Sequence, residues 1–165
     1  MQLLDQFDRK INYLRVSVTD RCDLRCVYCM KEKMTFLPKK EILTLEEIER
    51  LCDNFIDLGV NKIRLTGGEP LVRKDFTAIL ARLAKLPVKL SITTNALLTH
   101  RFIEDFKRYG LHDINVNLDS LNAEKFKFIT RRDQYKKAFE NIEQLIQEGF
   151  NVKVNAVLMK HFNED

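Results

Sequence analysis

Apolar and polar residues alternate along this chain in two rhythms that take turns. Leu14-Arg-Val-Ser-Val18 has a period of two, the mark of a strand with unlike faces. From residue 44 the apolar residues Leu45, Ile48, Leu51, Cys52, Phe55 and Ile56 recur at helical spacing. Thr44 with Glu47 three residues later forms a capping-box start, and Gly59 stops the helix. Lys62-Ile-Arg-Leu65 then reads as a strand. The same logic predicts a helix over 74–85, a strand at Val88-Lys-Leu-Ser-Ile-Thr93 and a helix over 99–109 ended by Gly110. It continues with a strand at Asp113-Ile-Asn-Val-Asn-Leu118, helical turns over 123–129, a helix over 133–148 ended by Gly149, and a strand at Asn151-Val-Lys-Val-Asn-Ala-Val157. Five strands joined by four helical crossovers predict an α/β fold with a parallel sheet, its helices covering the sheet through right-handed connections.

Composition agrees with a folded domain: 45% hydrophobic, 32% charged, five Gly and three Pro in 165 residues. No linker or low-complexity run divides the chain, so residues 1–165 are expected to form a single domain or part of one. The formal charge of +4 suits an anionic ligand, but lysines on solvated helix faces give the same total. No apolar h-region with a cleavage site opens the chain, and no apolar run approaches the roughly 20 residues of a membrane helix. Four cysteines in a chain of this length are not a secreted disulfide framework, so a reducing, cytoplasmic setting is expected.

Three of those cysteines, Cys22, Cys26 and Cys29, follow the first strand in a C-x₃-C-x₂-C loop. A structural zinc site closes with four ligands, whereas a [4Fe–4S] cube on three thiolates leaves one iron open to a small molecule. Zinc would need a distant fourth ligand, and His100, His112 and His161 are scattered. Cys52, spaced with Ile48 and Phe55, reads as helix core. The other polar motifs also end strands: Thr66-Gly-Gly-Glu-Pro70, Thr93-Thr-Asn95 and Asn117-Leu-Asp119-Ser120. Parallel α/β folds bind ligands at the carboxyl ends of their strands, so all four motifs are expected on one rim. Alone, a Gly-Gly is usually a turn and a Thr-Thr-Asn a strand end. Together with Glu69 and Pro70, which fix the turn, Gly67 and Gly68 would let a ligand's amino acid moiety approach the backbone.

Cys22/Cys26/Cys29 followed by Gly67-Gly-Glu-Pro70 resembles the radical S-adenosylmethionine (SAM) superfamily. Within it, the segments Asp20-Arg-Cys-Asp-Leu-Arg-Cys-Val-Tyr-Cys-Met30, Phe36-Leu-Pro38, Ile63-Arg-Leu-Thr-Gly-Gly-Glu-Pro-Leu71 and Val152-Lys-Val-Asn155 are similar to the GTP 3′,8-cyclase family of molybdenum cofactor biosynthesis. The resemblance implies part of an incomplete (β/α)6 TIM-like barrel and a [4Fe–4S] cluster on Cys22, Cys26 and Cys29, with SAM chelating the open iron. It implies a lyase in which reductive SAM cleavage gives a 5′-deoxyadenosyl radical that converts GTP to 3′,8-cyclo-7,8-dihydro-GTP. Tyr28 and Gly68 match SAM contacts, with Gly67 and Glu69 in the same motif, and Asn117 stands where the family commonly has a SAM-contacting Ser. Arg15, Arg64, Thr93 and Lys153 match GTP contacts. An inward-facing barrel surface explains the three basic residues, which alternation alone would leave as solvated charges.

Expected partners are GTP and an external electron donor, with no nucleic acid and no membrane; homodimerisation is an expectation of the family. Arg21 and Arg25 flank the cysteines either as cluster neighbours or as loop surface, and Arg131-Arg132 reads as a surface pair at a helix start. Ala96 replaces a common Gly after Thr-Thr-Asn. The family's second three-cysteine set is absent, so the chain is expected to be a truncated core domain, incomplete for catalysis. Two other readings stand beside this one: another radical SAM enzyme, such as a peptide-modifying maturase, and a non-catalytic metal-binding module.

Overall fold

The computed structural model describes residues 3–164. Five strands, β1 (Tyr13–Ser17), β2 (Lys62–Thr66), β3 (Lys89–Thr94), β4 (Asp113–Asn117) and β5 (Asn151–Asn155), form one sheet. They lie side by side in chain order and all pairs are parallel. The crossovers carry α1 (Leu45–Asp57), α2 (Phe76–Leu83), α3 (Ile103–Arg108), and, between β4 and β5, both α4 (Ala123–Thr130) and α5 (Tyr135–Gln147). The alternation read from the sequence is thus the topology of the sheet.

A parallel sheet covered on both faces usually carries near-continuous apolar strands. These strands instead alternate strictly, and the register lines the alternation up. Val16, Leu65, Ile92 and Ile114 belong to one face and are buried. The helices pack there: α1 buries Ile48 and Cys52, α2 buries Phe76 and Leu80, α3 Phe106, and α5 Ile142 and Leu145. Each such aliphatic side chain contributes about 1.5–3 kcal/mol when withdrawn from water. Edge-to-face contacts of Phe76 with Phe102 and of Phe106 with Phe150, at 5.5 and 6.0 Å, join the helices into one core. The opposite face carries Arg15, Arg64, Ser91, Thr93, Asn115 and Lys153, the polar lining of the inner side of a barrel arc.

Local signals explain most boundaries. Thr44 accepts from the Glu47 N–H while the Glu47 carboxylate accepts from the Thr44 N–H, the full capping box. The expected helix over 99–109 is divided: a 3₁₀ turn (Thr99–Arg101) precedes α3, because the Thr99 hydroxyl and N–H both turn back to the Ala96 carbonyl. Leu51, expected in the apolar stripe of α1, is exposed at 38%. Arg131 and Arg132 end α4 rather than starting a helix, with Arg131 in the left-handed region at φ 56°. Among the described residues no helix is long and apolar enough to cross a membrane.

Ala96 also has a positive φ, 66°, where an alanine is strained and a glycine is not. Buried Asn141 on α5 holds this turn by donating to the Ala96 carbonyl at 2.7 Å. Replacing Asn141 with Ala removes this bond and leaves the carbonyl to the Thr99 hydroxyl and N–H alone. The expected cost is about 0.5–1.5 kcal/mol, read as a lower urea midpoint at unchanged slope.

Candidate functional site

All four strand-end motifs meet at the carboxyl end of the sheet. The cysteine loop leaves β1 and is stitched to the end of α4: the Arg25 N–H donates to the Thr130 carbonyl and the Val27 N–H to that of Ile129, at 3.0 and 2.8 Å. Cys29 and Met30 donate their N–H groups back to the Cys26 carbonyl, closing a turn that carries Cys26 and Cys29 together. Cys22 and Cys26 are half-buried and Cys29 is exposed; all three are free thiols. Burial pushes Cys22 up to about 12 and Cys26 up to about 11, the latter helped by the negative charge of Asp119. Assembly of a metal group on these thiols therefore releases protons.

The donor set is a test of what could bind. Among the described residues, no three His, Cys, Asp or Glu side chains converge on a single ion-sized point. A zinc ion, which draws four donors to about 2.0–2.3 Å, has no ready-made site. Three thiols spaced along one loop fit a cluster whose irons occupy separate corners, with one corner left for another ligand.

Gly67 and Gly68 have a use not anticipated from sequence: the backbone that presses on them is the chain's own. A Cβ on Gly67 would lie 2.4 Å from the Thr19 carbonyl oxygen, and one on Gly68 would lie 2.3 Å from that of Arg21. The Gly68 N–H donates to Thr19 and the Glu69 N–H to Arg21, both at 2.7 Å. The two glycines thus dock the loop after β2 against the start of the cysteine loop, and both remain partly open to the rim.

Glu69 is enclosed and does not reach the rim. Its carboxylate accepts from the Leu71 N–H at 3.1 Å, the Thr94 hydroxyl at 2.8 Å and the Asn95 N–H at 2.7 Å, tying the loop after β2 to the end of β3. Asn95 passes the connection on, donating to Asp23 at 2.6 Å and lying 4.0 Å from the Cys22 sulfur. Tyr28 presents its ring to solvent while its hydroxyl donates to Asp119 at 2.7 Å, and burial together with this bond raises the phenol well above its usual range. Asn117 is exposed at the end of β4. Asp119 and Asn95 were visible only as members of strand-end motifs; the structure makes them the braces of the cysteine loop.

The basic residues share the polar face of the sheet, opposite the helices. Arg15 and Arg64 are register partners, and Thr93 and Lys153 flank Asn115 one step nearer the rim. Arg64 is held from two sides: its guanidinium lies 5.3 Å from the Tyr13 ring centre, and its Nε donates to Ser91 at 3.4 Å. Arg15 and Lys153 have no ion-pair partner among the described residues, a surplus of positive charge on the inner face. Arg25 and Arg21 instead stack on Phe36, and Arg25 donates to the Cys22 and Leu24 carbonyls, so they brace the loop. Arg132 pairs with Glu32 at 2.9 Å, pinning the exit of the same loop.

The Radical SAM superfamily model matches residues 16–165, and the chain belongs to that superfamily, whose working cofactors are a [4Fe–4S] cluster and SAM. It is 51% identical over 98% of its length to GTP 3′,8-cyclase of Caulobacter vibrioides, and 50% identical over 98% to that of Brucella ovis. The chain spans 48% of each of these relatives. Among solved structures it is similar to Streptococcus suis SuiB bound to precursor peptide SuiA, at TM-score 0.76 and 22% identity, over 91% of this chain and 34% of that one. It is also similar to Escherichia coli coproporphyrinogen III oxidase (HemN), at 0.58 and 16%, over 86% and 35%. These likenesses show the shared partial-barrel fold.

Complete enclosure lifts Glu69 from its ordinary 4.5 to about 7, against the pull of its three donors. Between those values the unfolded chain gives up this proton and the folded chain keeps it. Stability should therefore fall as pH rises from 4.5 to 7, by about 3 kcal/mol from this group, and level off beyond. Urea unfolding across that window should show the slope in the native chain and its loss in Glu69→Gln. Equal slopes would mean that Glu69 is ionised throughout.

Proposed function

We propose that this chain is the cofactor- and triphosphate-binding portion of a GTP 3′,8-cyclase, a radical SAM lyase of molybdenum cofactor biosynthesis. The observation that carries this reading is the basic inner face: Arg15, Arg64 and Lys153 stand on the polar face of three strands, and Arg64 and Lys153 line one cavity, positive charge suited to a polyphosphate. The relatives at about 50% identity, which bear that name, support it.

When bound, the [4Fe–4S] cluster and SAM supply reductive cleavage of a carbon–sulfur bond, and with it a carbon radical able to abstract hydrogen. The residues of this chain bind and orient. Cys22, Cys26 and Cys29 would hold three irons. Tyr28, Gly67, Gly68 and Asn117 line the rim where SAM's polar groups would lie. Glu69 acts through them, fixing the loops that carry Gly68 and Asn95. Arg64, stacked on Tyr13 and bonded to Ser91, is preorganised to meet a phosphate with its fork, Lys153 adds a point charge, and Thr93 a hydroxyl. GTP is then the substrate and an external one-electron donor a partner. The free thiols suit a reducing, cytoplasmic compartment; homodimerisation, and the absence of nucleic-acid and membrane partners, belong to the same reading.

The test is anaerobic reconstitution followed by iron and sulfide counting and a reductive SAM-cleavage assay, with and without GTP. The expected result is about four irons per chain and release of 5′-deoxyadenosine, both abolished in Cys26→Ala. No cyclised GTP is expected from the 165 residues alone. Retention of the cluster by Cys26→Ala, or a preference for zinc, would overturn the ligand assignment.

A further inference from the structure

Four asparagines are buried among the described residues, and three of them have structural work. Asn95 bonds Asp23 and the Leu97 N–H, Asn141 the Ala96 carbonyl, and Asn163 the Asp119 and Val157 carbonyls. The fourth, Asn115, is 7% exposed, and its carboxamide makes no hydrogen bond to any described residue. Among the described residues, the enclosed polar side-chain atoms without a partner are the Tyr13 hydroxyl, Asp20 Oδ1 and Arg25 Nε, so the Asn115 carboxamide is not sealed in but opens onto the cavity it lines, free to take a ligand.

Its position says what should arrive. Asn115 is the register partner of both Thr93 and Lys153, so it stands on the inner face between them. It lines a cavity of about 700 Å³ together with Arg64 and Lys153. The amino end of that cavity is lined by Asp113, which pairs with Lys89 at 2.8 Å and Lys62 at 3.6 Å and accepts from Asn151. These partners hold Asp113 below the usual carboxylate range, so it stays charged and engages both lysines at that end. A polyphosphate drawn in by Arg64 and Lys153 is directed onto the row that contains Asn115. Its two amide hydrogens are uncommitted neutral donors on that row, beside the Thr93 hydroxyl.

We infer that Asn115 is a further substrate-binding residue, donating its carboxamide N–H to a phosphate oxygen held by Arg64 and Lys153. This rests on the nucleotide-triphosphate reading of the site. A spanning residue of this kind measures the anion without adding charge: it donates to a phosphate oxygen while leaving the charge balance to Arg15, Arg64 and Lys153.

Equilibrium binding of GTP and of inorganic tripolyphosphate to the chain, by titration calorimetry, tests it. Asn115→Ala should weaken both ligands about tenfold, and Asn115→Asp, which turns a carboxylate toward the phosphates, about a hundredfold or more. Neither variant should melt below the native chain, since no internal hydrogen bond is lost. Native affinity in both variants, with binding lost in Arg64→Ala, would overturn the role of Asn115 and leave the nucleotide site standing. A loss confined to GTP would overturn the contact with phosphate, as would variants that melt well below the native chain. Failure of the native chain to bind either ligand would overturn both the inference and the reading beneath it.

Discussion

Strict two-residue alternation in a parallel sheet is the constraint from which the rest follows. A strand that places a charge or an amide at every second position cannot be buried on both sides, so the helices are confined to one face and the other stays polar. The register then does what no single strand could: it sets Arg15 beside Arg64, and Thr93 beside Asn115 beside Lys153. The chemistry of the inner face is therefore a property of pairing, and a slip of one residue in any strand would exchange it for Val16, Leu65 or Ile114.

At the carboxyl end the problem is different, because loops have no ladder to hold them. Here the chain substitutes close backbone contact and enclosed polar side chains. Gly67 and Gly68 let two loops approach to hydrogen-bond distance, Glu69 gathers one donor from its own loop and two from the end of β3, and Asn95 carries the connection to Asp23 beside the first cysteine. Thiols that must receive a cluster without collapsing on one another need such scaffolding, since they supply none themselves.

Much of this was legible in the sequence, and the remainder was hidden for definite reasons. The strands, α1 with its capping box, the cysteine loop and the placement of all four motifs on one rim follow from period and spacing, which are local. Arg15, Arg64 and Lys153 could be named only through resemblance, because a lone charge on an alternating strand is equally consistent with solvent. The roles of Glu69, Asn95 and Asp119 depend on partners 25 to 91 residues away, and no local pattern encodes them. Asn115 was harder still: its distinction is a bond it does not make. The broken helix after residue 98 was missed because the determinant, Ala96 at positive φ, is a conformation that alanine seldom signals.

Asp119 has a consequence beyond bracing. One of its carboxylate oxygens is taken by the Tyr28 hydroxyl of the cysteine loop, the other by the Val157 N–H beyond β5, and its own carbonyl by Asn163. Neither segment can open without leaving part of a buried carboxylate bare. The loop at the first strand and the chain leaving the last one are thus a single cooperative unit, and their amides should exchange with solvent together although the whole sheet lies between them.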